Sequence, residues 1–113
     1  MRARLIFFAL ILFAFNQANA TETSCTETDK KGIENSIKNY LNNVKNSTLR
    51  YKDVTLLSKN CVKGYAKVIV HPKKPVTDDA TVYLQQHKGN WKVLSLGTFF
   101  ESDFLAKFPK ELR

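Results

Sequence analysis

The chain predicts an α+β fold, with an N-terminal helix packed on a four-stranded antiparallel sheet and a short C-terminal helix. Three observations lead there. Apolar residues recur with a helical period over Ile33, Ile37, Tyr40, Leu41 and Val44. Four segments of strand composition then follow one another, each bounded by turn residues. Finally, Phe99, Phe100, Phe104 and Phe108 crowd into the tail.

The first element in order is an address. Arg2 and Arg4 form a basic start, Leu5 to Phe15 is an apolar run too short to cross a bilayer, and Ala18-Asn19-Ala20 is a cleavage signal. Residues 1–20 are therefore expected to be a signal peptide cleaved after Ala20, leaving a single α+β domain over 21–113 that is exported to the periplasm or beyond the cell. Glu22-Thr23-Ser24 before Cys25 does not fit a lipidation signal, because the charged Glu22 stands where an apolar residue is needed. No later apolar segment has membrane-spanning length.

The formal net charge is +8, and loss of the leader lowers it to about +6. A basic surface favours acidic partners. However, Arg50 and Arg113 are the only arginines after the leader, and phosphate recognition usually recruits arginine forks. Nucleic acid is disfavoured for that reason and for the export signal. Cys25 and Cys61, in an oxidising compartment, are expected to form a disulfide. It would close a loop of about 36 residues and stabilise by roughly 3–4 kcal/mol.

The helix is expected to start at Asp29 as its cap. Its polar face carries Lys30, Lys31, Glu34, Lys38, Asn42 and Lys45, and it ends at Asn46-Ser47. Asn46-Ser47-Thr48 also matches a glycosylation acceptor, though it reads first as a helix-ending turn. The strands are expected at Tyr51 to Ser58, Val62 to His71, Ala80 to His87 and Trp91 to Thr98. Lys59-Asn60, Pro72-Lys73-Lys74-Pro75 and Lys88-Gly89-Asn90 separate them. Val62, Ala66, Val68 and Val70 face inward on the second strand. In the last hairpin, a three-residue loop pairs Leu84 with Leu94 and Val82 with Leu96, the register that best fits the hydrophobic pattern. A two- or four-residue loop sets Leu84 beside Val93 and turns Leu94 and Leu96 outward. In the tail, Ser102 caps a helix that places Phe104, Leu105 and Phe108 on one face, and Pro109 interrupts it.

The segments IKNYLNNV, DDATVYLQQ and GNWKVLSLGT carry a resemblance over roughly residues 30–98. The chain resembles small exported bacterial proteins of the cystatin-like/NTF2-like group, in which a curved antiparallel sheet cradles an N-terminal helix. The resemblance implies a fold and leaves the function open, since this fold hosts enzymes, inhibitors, carriers and dimerisation modules. The Q-x-V-x-G loop of cystatin inhibitors is absent from the sequence, and the chain is shorter than NTF2-like enzymes.

Chemistry-bearing motifs are sparse. His71 and His87 stand at strand ends without metal-ligand spacing. Asp78-Asp79 reads as turn capping. Asp53, with Tyr40 or Tyr83, could form a pocket acid–base set. No serine lies in a nucleophile-elbow motif. The expectation is a non-catalytic protein with no cofactor and no metal.

The outer sheet face is the candidate binding surface. It is expected to present Tyr65, Lys67, Ile69, Tyr83, Gln85, His87, Trp91 and Val93, more apolar and aromatic than a solvated face needs. Tyr65, Lys67, Tyr83, Gln85, His87 and Trp91 are the binding candidates. The leading expectation is a small secreted or effector-type protein that binds another protein. The same face could serve a homodimer, or an acidic glycan or lipid headgroup. The alternatives are a periplasmic inhibitor or immunity-type protein and an NTF2-like carrier or enzyme. The tail phenylalanines could instead fold across a sheet face and bury it.

Overall fold

The computed structural model describes residues 25–44 and 49–113. The expected signal peptide and the Asn46-Ser47-Thr48 sequence lie outside the described residues. Helix α1 spans Glu27–Asn43. Its cap is Thr26 rather than Asp29: the Thr26 Oγ1 accepts the Asp29 amide at 3.0 Å. Asp29 lies instead in the first turn, where its charge suits the helix dipole. Ile33, Ile37 and Leu41 of the apolar stripe are buried, while Tyr40 at its margin is exposed.

A 3-10 turn, Tyr51–Asp53, leads into strands β1 (Val54–Val62), β2 (Tyr65–Pro72), β3 (Ala80–His87) and β4 (Asn90–Gly97). They form one antiparallel sheet in the order β1-β2-β3-β4. The chain is thus α+β, with one long helix ahead of a four-stranded meander. Three expectations about strand limits and register need correction.

The first turn is Lys63-Gly64 and not Lys59-Asn60, which lie inside β1 opposite Val68 and Lys67. Both turn residues have positive φ, 51° and 82°, the backbone that suits the twist of a two-residue hairpin. Gly64 takes that conformation without strain. Because Val62 pairs with Tyr65 across this turn, it joins the outer face. It does not join Ala66, Val68 and Val70 beneath the helix.

The second correction concerns the β3–β4 hairpin. Its loop is the two residues Lys88-Gly89, again at positive φ, so His87 pairs with Asn90 and Leu84 with Val93. The register then shifts beyond Leu84, and Val82 pairs with Leu96. One extra residue in β4, the exposed Leu94, absorbs the shift as a β-bulge. Each register expected from sequence describes one half of the ladder. The third correction follows: Trp91 and Val93 lie on the helix side and pack in that core, not on the outer face.

The C-terminal segment is shorter in helix than expected. α2 is a single turn, Ser102–Leu105, capped by Glu101 without a side-chain bond, so Ser102 is not its cap. The amides of Lys107 and Phe108 then bond three residues back, to Phe104 and Leu105. That tight winding stops before Pro109, and Lys110–Leu112 adds one 3-10 turn.

The sheet therefore separates two cores. On one side, Ile33, Ile37 and Leu41 pack on Ala66, Val68, Val82, Leu84 and Trp91. On the other, the tail lays Phe108 and Leu112 over Val62 and Tyr83. Cys25 and Cys61 are bonded, with Cα atoms 5.0 Å apart, tying the residue before the helix cap Thr26 to β1. Lys59 on β1 reaches Glu34 on α1 at 3.4 Å. Among the described residues, no helix is long and apolar enough to cross a membrane.

Candidate functional site

The expected outer-face set is partly assembled. Tyr65 pairs with Gln85 and Lys67 with Tyr83 across β2 and β3, which puts these four side chains on one face. His87 follows Gln85 at the next outward position of β3, beside the hairpin. The tail covers much of what they offer. Tyr83 is 2% exposed, enclosed edge-on by Phe100 at 4.9 Å and Phe104 at 5.7 Å. Its hydroxyl donates to the Leu112 carbonyl at 2.7 Å. Burial raises its phenol above the ordinary value. Tyr65 is half-buried against the edge of Phe108. Lys67 holds its ammonium 5.9 Å above the Tyr83 ring. Gln85 and His87 remain exposed.

Trp91 is on the opposite face, where Ser36 Oγ donates to its carbonyl. Its ring is buried, and its Nε1 is an unpartnered buried donor among the described residues. Tyr83 and Trp91 thus have little surface left to give a partner, and no single surface joins them.

Asp53, Tyr40 and Tyr83 do not come together as an acid–base set. Asp53 is committed locally: its Oδ2 accepts the Arg50 amide and its carbonyl accepts the Lys73 amide, both at 2.8 Å. Tyr40 lies on a shallow hollow beside Trp91. His71 and Asp79 do pair, Nδ1 to Oδ1 at 2.6 Å, with both side chains about half exposed. Among the described residues, no cluster of His, Cys, Asp and Glu could hold a metal ion.

Two adjoining concavities lie elsewhere, at the end of the two layers where α1 stops. The last buried residue of α1 is Leu41. β1 begins at that end and β2 finishes there. A cavity of about 290 Å³ opens there, lined by Leu41, Val54, Val70, Ala80 and Leu96 and also by Thr77 and Asp78. Leu49 lines it and also lines an adjoining cavity of about 470 Å³. The second cavity is walled by Lys52, Asp53, Lys73, Lys74 and Val76. Its shape follows from local chemistry. The bond from Lys73 to Asp53 fastens the loop to the 3-10 turn, while Pro72 and Pro75 restrict the backbone on either side of the two lysines.

Positive charge is in excess in the larger cavity, whereas the smaller one is lined by one carboxylate, Asp78. Lys52, Lys73 and Lys74 face one carboxylate, Asp53, in the larger cavity. The ion pairs described are Lys30–Glu27, Lys59–Glu34 and His71–Asp79, so these three lysines take part in none of them. Val76 is 67% exposed beside them. Sequence reasoning took Pro72-Lys73-Lys74-Pro75 as a turn and passed over Leu49 and Val76. The signal available was two aliphatic residues outside the strands, each within three positions of a lysine. No protein-family model, no curated protein and no solved structure matches the chain.

Proposed function

We propose that this chain is an exported, non-catalytic binding protein of cystatin-like/NTF2-like type that holds a small ligand at the open end between α1 and the sheet. The observation that carries this reading is the pair of cavities sharing Leu49, one with an aliphatic floor and one with a lysine wall. Ligand sites are typically concave and mostly apolar, with a few placed polar groups. Binding is favoured over catalysis because the carboxylate in the wall, Asp53, already accepts the Arg50 amide. The fold-group assignment draws support from α1 crossing one face of a four-stranded meander bulged in β1 and β4. Export draws support from the leader and from a disulfide of the kind that persists in oxidising compartments.

The test is an amide-shift screen of the isotopically labelled protein against a library of small amphiphiles and polar metabolites. Saturable shifts at Leu41, Leu49, Val70 and Leu96 are expected. If ligands shift only residues around Gln85 and His87, or none binds, the open-end reading fails. Mass measurement of protein recovered from periplasm and culture medium tests export, with an N-terminus at Thr21 as the expected result.

A protein partner is the second reading. It rests on Leu57, 53% exposed on the edge strand β1 where the ladder bulges between Leu56 and Lys59. An exposed apolar side chain on an unpaired edge is a starting point for association. Light scattering at micromolar concentration separates a homodimer from a monomer, and a Leu57→Lys change would weaken either kind of contact.

A further inference from the structure

We infer that the ligand of the open end is an anionic amphiphile: an acidic head held by Lys52, Lys73 and Lys74, and one aliphatic tail laid over Leu49 into the floor formed by Val54, Val70 and Leu96. The inference rests on the binding reading above and deepens it by naming the ligand's chemistry.

Charge complementarity sets the head. Three lysines share the larger cavity with one carboxylate, and that carboxylate is bound to the Arg50 amide. A cavity with surplus positive charge and no acidic counterpart among its other lining residues favours an anion. Lysine ammonium groups act as point charges without the planar fork of arginine. The wall therefore selects for negative charge and suits a carboxylate or a phosphate monoester equally.

The apolar lining sets the tail. A purely hydrophilic anion would leave Leu49 and the two-thirds-exposed Val76 in water. A ligand carrying an aliphatic chain covers them and continues past Leu49 onto Leu41, Val70 and Leu96. Every methylene removed from water there strengthens binding about fourfold. The aliphatic cavity is about 290 Å³, so the gain per methylene ends when that volume is filled. A single chain suits this volume better than the two chains of a phospholipid.

The experiment is titration calorimetry of the purified protein with hexanoate, octanoate and decanoate, and with decanol as the neutral control. Affinity is expected to climb by about fourfold per methylene from hexanoate. Decanoate should bind about tenfold more tightly than decanol. Lys73→Glu with Lys74→Glu should remove that tenfold preference, weakening decanoate far more than decanol. Circular dichroism of the double variant confirms that it folds. The preference should also shrink as salt is raised from about 50 to 500 mM.

Decanol binding as tightly as decanoate, with amide shifts at Leu41 and Leu96, overturns the acidic head but leaves the open-end reading standing. Failure of all four compounds to shift those residues overturns both. Equal affinities along the acid series overturn the tail. A further arm uses vesicles of phosphatidylcholine with one-third phosphatidylglycerol, in molar ratio about 2:1. Binding there that the Lys73/Lys74 reversal abolishes supports the same head chemistry, drawn from a bilayer instead of from free solution.

Discussion

The indole of Trp91 occupies the space that a side chain on Gly32 would need. A Cβ built on Gly32 would lie 2.8 Å from Trp91 Cδ1, closer than carbon atoms can approach. A glycine in mid-helix is otherwise costly, by about 1 kcal/mol relative to alanine. It allows α1 to settle directly on the ring that begins β4. Gly32→Ala is therefore expected to lower stability despite improving helix propensity. A net loss of about 1–2 kcal/mol in urea unfolding is the expected size, since overpacking typically costs more than the propensity gain. Trp91→Leu in the same chain should recover part of it, and additive losses in the double-mutant cycle would count against direct contact.

Tyr83 joins the sheet to the tail through one buried hydrogen bond, to the Leu112 carbonyl. Tyr83→Phe keeps the ring and leaves that carbonyl without its partner. The expected cost is about 1–2 kcal/mol, read from chemical denaturation.

The same residue gives a pH dependence with a definite sign. Burial raises the Tyr83 phenol, and burial with the nearby Glu34 charge raises that of Tyr51. A raised folded-state value favours the neutral phenol, so the contribution is fully present below the unfolded value, about pH 10. It is lost as pH climbs from there through the folded value, because the unfolded chain ionises first. Stability should fall above about pH 10, and the fall should be shallower in Tyr83→Phe. Equal slopes in the two proteins would refute the assignment.

The tail phenylalanines should rank by burial. Phe108 is 2% exposed and Phe99 is 80% exposed, with Phe104 half-buried between them. Phe108→Ala should cost about 3–5 kcal/mol. Phe104→Ala should cost less, and Phe99→Ala should fall within about 0.5 kcal/mol of the parent. Thermal unfolding of the three variants checks the order.

Reducing the Cys25–Cys61 bond, which joins positions 36 apart, should destabilise the protein by about 3–4 kcal/mol. Hydrogen exchange should show the loss first in the opening turn of α1, which the bond anchors to β1. The check is exchange with and without dithiothreitol, and matched rates in the first turn would contradict this role.

Local pattern was enough for the elements that repeat. The helical stripe at Ile33, Ile37 and Leu41 and the pairing of two cysteines were legible because periodicity and composition report which residues leave water. So was the succession of four strands. Register was harder to read. Lys63-Gly64 and Lys88-Gly89 both take positive φ, and lysine does not advertise that backbone as asparagine would. Missing the first turn put Val62 on the wrong face. Missing the bulge at Leu94 put Trp91 on the wrong face, because one residue of slip inverts every side chain beyond it.

The candidate site was less legible still. Lys52, Lys73, Lys74, Leu49 and Val76 come from segments on either side of β1 and β2, and no local spacing links them. Composition and periodicity alone disclosed the class of the fold, the covalent staple and an aromatic tail with something to cover. Tertiary packing set the tail over the outer face and brought Leu49 and residues 72–76 together beside the end of α1. Both depend on the lengths and register of elements distant in sequence. Those lengths and registers determine which apolar surface is buried and which is left open beside three lysines.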